Sequence, residues 1–69
     1  MKSITIEITQ DEKTIVSRLA NGESGDSIRR DLRIPQGTFA INLKAIRDKF
    51  GVKNTTELVA FFLRENIIK

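Results

Sequence analysis

The apolar residues of this chain recur at helical spacing in four places. The clearest case is Phe39, Leu43, Ile46 and Phe50, at steps of 4, 3 and 4. At about 100° per residue they fall in a stripe roughly 60° wide, which predicts a helix over residues 35–50. Gly51 ends it, with Lys49 favourably placed in its last turn. Ile15, Val16 and Leu19, with Ala20 beside them, predict a helix over residues 10–20. Thr9 and Glu12 form a capping box at its start, Asp11 and Glu12 sit at the positive end of its dipole, and Ile8 can act as the staple residue. Asn21-Gly22 ends that helix. A short helix over 25–32 follows the cap residue Ser24, with Ile28 and Leu32 facing the core and Arg29 and Arg33 one turn apart on another face. Asn54 and Glu57 cap a fourth helix over 55–65. Leu58, Val59 and Phe62 form its core face, and Phe61 and Leu63 widen the apolar arc on both sides.

Residues 1–8 follow another period. Ile4, Ile6 and Ile8 alternate with Ser3, Thr5 and Glu7, as in a strand, yet no other segment offers itself as a partner. A lone strand leaves its ladder groups unpaired. The segment is therefore an extended arm that packs on the helices, or one that pairs with the same segment of a second chain. The expectation is a single all-α domain spanning residues 1–69: four helices and a short extended N-terminal arm.

A core of 69 residues supplies roughly 3–5 kcal/mol unaided. The absence of cysteine and histidine removes disulfides and thiolate or imidazole metal sites, so any extra stability comes from helix packing or a second chain. No phosphate-cradling glycine loop and no carboxylate pair set in a cleft is evident, which argues against an enzyme and against a cofactor or small-molecule ligand. Gly22 and Gly25 punctuate a loop. No apolar run approaches the ~20 residues of a membrane span, and the start lacks the apolar block of a signal peptide. These features suit a cytoplasmic globular protein.

The formal net charge is +3, unevenly spread. Residues 1–27 carry three basic groups against five acidic ones; residues 28–54 carry seven (Arg29, Arg30, Arg33, Lys44, Arg47, Lys49, Lys53) against two; the remainder is neutral. A local excess of positive charge suits a polyanion such as nucleic acid, and it also serves solubility.

The order of these signals resembles the LuxR-type (GerE-like) helix-turn-helix domain of bacterial transcription regulators. Ile8-Thr9 stands for the family's opening Leu-Thr, Glu12 for its acidic residue in the first helix, and Ala20-Asn21-Gly22 for its Ala-x-Gly helix end. Ser24 and Ile28 take the Ser and Ile of its Ser-Asn-Lys-Glu-Ile-Ala second helix, and Leu32-Arg33-Ile34-Pro35 its Leu-Gly-Ile-Ser turn. Thr38-Phe39-Ala40-Ile41-Asn42 corresponds to Thr-Val-Lys-x-His, and the run from Ile46 to Thr55 to Ile-x-x-Lys-Leu-Gly-Val-x-Asn-Arg. Each motif alone is weak. Their common spacing, without a gap from Ile8 to about Ile68, is specific.

The resemblance implies a regulator that binds double-stranded DNA, usually as a homodimer, with the third helix in the major groove and the fourth helix commonly at the dimer contact. At this length the chain resembles the rarer stand-alone form, without a sensor domain. The implied base-reading positions are Ala40, Ile41 and Lys44. Ile41 points away from the core stripe and can meet a thymine methyl, while Lys44 can donate to guanine O6 and N7. Thr38 and Asn42, one turn apart, match positions that touch the DNA backbone, though Asn42 could also pair with adenine. Ser24, Arg29 or Arg33, Arg47, Lys53, Asn54 and Thr55 are the other backbone candidates, with the free N–H groups at the start of the fourth helix. Phe61 and Leu63 are the dimer candidates, or else they pack against the arm. Four departures stand out. Ala40 replaces a frequent lysine, Asp26 a basic residue that Arg29 or Arg30 could neutralise, Pro35 a serine cap, and Thr55 a frequent arginine. The first two favour a competing expectation, a protein-docking module that no longer reads bases.

Overall fold

A computed structural model describes residues 7–68 as four helices: α1 (Gln10–Ala20), α2 (Gly25–Asp31), α3 (Gln36–Phe50) and α4 (Thr55–Arg64). No strand occurs among the described residues. The alternation at Ile4 and Ile6 lies outside them. Ile8 is described, and it is half-buried against the core. The fourth position of α1 is the exposed Lys13, so tertiary packing rather than a hydrophobic staple holds Ile8.

Each helix starts where a side chain can take an orphan N–H, with one exception. The Thr9 hydroxyl accepts from the Glu12 N–H at 3.1 Å, and the Glu12 carboxylate accepts from the Thr9 N–H at 2.9 Å. The same carboxylate receives the Lys49 ammonium at 2.9 and 3.0 Å, which ties the start of α1 to the end of α3. Ser24 caps α2 through the Ser27 N–H, and Asn54 caps α4 through the Glu57 N–H. Pro35 is the exception. The sequence suggests it belongs to the first turn of α3, but its ψ of 148° makes it the extended cap residue, without a side-chain bond. It still sets φ at −59° for the entry into the helix.

All four helices end in the same motif. Just past each helix a backbone N–H donates back five residues: Glu23 to Arg18, Ile34 to Arg29, Val52 to Arg47 and Ile67 to Phe62. This reversal needs a left-handed residue just before it. Those residues are Gly22 (φ 88°), Arg33 (φ 59°), Gly51 (φ 70°) and Asn66 (φ 59°). Three are types that tolerate the conformation. Arg33 is not, and it occupies the glycine position of the Leu-Gly-Ile-Ser turn.

The core divides around α1. Val16 joins Ile46, Leu58, Phe62 and Ile68, while Ile15 joins Ile28 and Phe39. Adjacent residues of one helix thus face different neighbours, α3 and α4 on one side and α2 and α3 on the other. Ile68 is buried because the reversal at Asn66 folds the end of the chain back onto the first cluster. At the start of α2, a Cβ on Gly25 would lie 3.2 Å from Cε2 of Phe39, so glycine permits the close seating of α2 on α3. No helix among the described residues is long and apolar enough to cross a membrane.

Candidate nucleic-acid interface

Seating Phe39 and Ile46 in the core decides what α3 turns outward. Directly opposite, Gly37, Ile41, Lys44 and Asp48 are all exposed. Ile41 is 70% exposed, a β-branched apolar residue that no described part of the chain covers. Lys44, 69% exposed, holds Asp48 one turn along at 3.0 Å. Ala40 and Gln36 lie on the flank of α3 that meets α2, where they border a groove with Gly25, Asp26 and Arg29. Ala40, Ile41 and Lys44 therefore share one accessible face, which α2 borders.

Other candidates are not brought to that face. Asn42 is half-buried on the opposite flank, lining a depression with Thr9, Glu12 and Ile15 of α1 and its neighbourhood. Thr38 is exposed and, at about 40° from Asn42 around the helix, lies on the same side. Ser24 is exposed, but its hydroxyl oxygen is engaged as the cap of α2. Thr55 is half-buried in the first turn of α4, next to its cap Asn54.

The basic residues differ in how free they are. Arg29 and Arg30 both bind Asp26, at 2.7 Å each. The acid that departs from the family pattern is thus neutralised from two positions on its own helix. The Arg29 side chain is only 21% exposed, and its Nε is buried without a partner. With Asp26 it lines the groove between α2 and α3. Among the described residues Arg33, Arg47 and Lys53 make no ion pair; Arg33 and Lys53 are exposed and Arg47 is half-buried. They occupy the turn before α3, its last turn and the connection after it.

Residues 7–62 match the family described as bacterial regulatory proteins, luxR family (GerE). The chain belongs to the luxR family. No curated protein and no solved structure matches it. The luxR-family helix-turn-helix is the pair α2 and α3, joined by the Arg33 reversal, and members of this family are DNA-binding regulators. One feature of this luxR-family domain has no local sequence signal. Arg18 of α1 binds both Glu23, at 2.6 Å, and Asp31 at the end of α2, joining residues 13 positions apart. Those two hydrogen bonds, to Glu23 first and then Asp31, push the guanidinium further above its already high range, so it stays charged. Asp48, which the helical spacing alone turns outward, puts a negative charge on the face that carries Lys44.

Phe61 and Leu63 are separated by the structure. Two residues apart on a helix, they point about 200° away from each other. Phe61 is half-buried, its ring 5.5 Å from that of Phe50 and 6.3 Å from that of Phe62. Leu63 is 44% exposed. The apolar surface left open on α4 is therefore Leu63 with Ala60 and the half-buried Val59.

Proposed function

We propose that this domain is a transcriptional regulator that binds double-stranded DNA with α3 in the major groove. The observation that carries the reading is the accessible face of Ala40, Ile41 and Lys44 on a helix whose preceding turn, last turn and following connection carry Arg33, Arg47 and Lys53, cations that are unpaired among the described residues. Side chains in the groove choose the sequence; cations at the rim fix the register on phosphates. The free N–H groups at the start of α4, beside Asn54 and Thr55, add a further phosphate seat. Such a protein works in the bacterial cytoplasm, where the chromosome lies.

A homodimer is the second part of the proposal. A two-fold axis at α4 would bury the open Leu63, Ala60 and Val59 against their own copies, and a dimer doubles the phosphate contacts and asks for a near-palindromic site. Phe61 contributes indirectly, by seating α4 on Phe50. Sedimentation equilibrium distinguishes the cases: Leu63→Glu gives monomers if this face is the interface, and a mutant that stays dimeric moves the interface elsewhere.

The decisive experiment is a fluorescence-anisotropy titration against duplex DNA at several salt concentrations. Log affinity should fall linearly with log salt, by about 0.9 per phosphate contact. Absence of binding at low salt removes this function. A protein-docking module then takes its place, a reading favoured by the neutralisation of Arg29, Arg30 and Lys44 within the domain.

A further inference from the structure

Helix α3 opens on Gln36, whose side chain is exposed and makes no hydrogen bond among the described residues. Helical side chains lean toward the N-terminus, so its carboxamide projects past the first turn rather than back along the helix. Gln36 borders the groove between α2 and α3. The carboxylate in that groove is Asp26, and both of its oxygens are taken, one by Arg29 and one by Arg30, at 2.7 Å each. Ala40, one turn on and about 40° around the axis, lines the same groove with a methyl group only. Thr38, the other exposed side chain of the first turn that can hydrogen-bond, lies about 160° from Gln36, on the flank of Asn42. A free carboxamide therefore stands alone at the leading end of α3, on the α2 side.

The N-terminal residues of a recognition helix are those that meet base edges in the major groove. A carboxamide presents an acceptor, Oε1, beside a donor, Nε2. Adenine presents the complement, its N6 amine as donor beside N7 as acceptor. Guanine offers two acceptors, cytosine one donor, and thymine one acceptor and a methyl group. Adenine alone satisfies both ends of the carboxamide, and an end left unpaired on desolvation costs affinity. We infer that Gln36 is a specificity-determining residue that selects adenine at one position of the bound site, with Nε2 donating to N7 and Oε1 accepting from the N6 amine. The inference rests on the DNA-binding reading and adds a hydrogen-bonding reader on the flank where Ala40 provides none.

The test starts from the duplex that the protein selects from a random library. The same selection with Gln36→Ala should return a site in which one adenine position has lost its preference while the other positions keep theirs. Exchanging that A·T pair for G·C should weaken wild-type binding about 5- to 150-fold. 7-Deazaadenine, which keeps the pairing and removes only the N7 acceptor, should weaken it about two- to tenfold. Both penalties should largely vanish in Gln36→Ala, at an unchanged salt slope. Gln36→Lys, whose ammonium donates to guanine O6 and N7, should move the preference at that position from adenine to guanine, a change that a merely structural residue does not produce. Both variants should unfold close to the wild-type Tm, because the side chain is exposed and unbonded. Identical selected sites for wild type and Gln36→Ala, or a 7-deazaadenine penalty equal in both, overturn the assignment to Gln36 and leave DNA binding intact. So does salt-dependent binding with no enriched sequence. A preference lost for a base other than adenine overturns the adenine pairing. No binding to any duplex overturns the DNA-binding reading itself.

Discussion

Arg33→Gly should make this domain more stable. Four helix ends use the same reversal, and at three of them the left-handed residue is glycine or asparagine. At the fourth, Arg33 holds φ at 59° while Ile34 donates to Arg29 at 2.8 Å and packs on the cluster of Ile28 and Phe39. The left-handed conformation costs an L-residue roughly 1–2 kcal/mol, and glycine removes that cost. Glycine also loses about 0.5–1 kcal/mol more backbone entropy on folding. Because the Arg33 side chain is exposed and unpaired, no contact is lost. The net gain is about 0.5–1 kcal/mol, which for a domain of this size raises Tm by roughly 2–8 °C. Thermal unfolding followed by far-UV circular dichroism is the assay, since the chain has no tryptophan or tyrosine. Gly22→Ala and Gly51→Ala are the opposite controls and should each lower Tm. An unchanged or lowered Tm for Arg33→Gly would refute the claim that this turn is strained. The same variant, titrated with DNA, should lose about 0.9 from the salt slope if Arg33 meets a phosphate.

Other expectations concern the cap and the reading face. Glu12→Ala removes the acceptor of the Thr9 N–H and of Lys49 together and should cost about 1–2 kcal/mol in urea unfolding; Lys49→Ala, which leaves the cap intact, should cost less. Lys44→Ala should weaken the preferred site by about 1–3 kcal/mol and relax base preference, with unchanged binding removing Lys44 from the interface. Asp48→Ala should strengthen binding to all duplexes alike by freeing Lys44 and removing a negative charge from the face, an effect that shrinks as salt is raised. Equal affinity of Asp48→Ala and wild type at low salt would place Asp48 away from the DNA.

Much of this fold is legible in local chemistry. Thr9 with Glu12, Ser24, and Asn54 with Glu57 announce helix starts because the cap is a contact three residues long. The α3 stripe is visible because the helical period alone brings Phe39 and Ile46 to one side. The same period turns Ile41 outward, so its exposure follows from spacing. What escapes the sequence is contact across the chain. The pairing of Lys49 with Glu12 spans 37 residues, and nothing in either neighbourhood signals it. Burial of Ile68 depends on the reversal at Asn66, which lies beyond the last periodic residue of α4. Phe61 and Leu63 look alike as members of a wide apolar arc, and only the position of Phe50 separates the packed ring from the open side chain. Arg29 shows the same limit. Its spacing from Asp26 makes the ion pair foreseeable, but not the burial of its Nε.

If α3 meets DNA with one particular face, the contact should be visible residue by residue. Amide chemical-shift mapping of the labelled protein during addition of a short duplex gives that view. Shifts should concentrate at Gly37, Ala40, Ile41, Lys44 and the start of α4, with Lys13 and Ser17 of α1 left unmoved. A spectrum that does not change on adding DNA, or one whose changes fall on α1 instead, would contradict the assignment of this face.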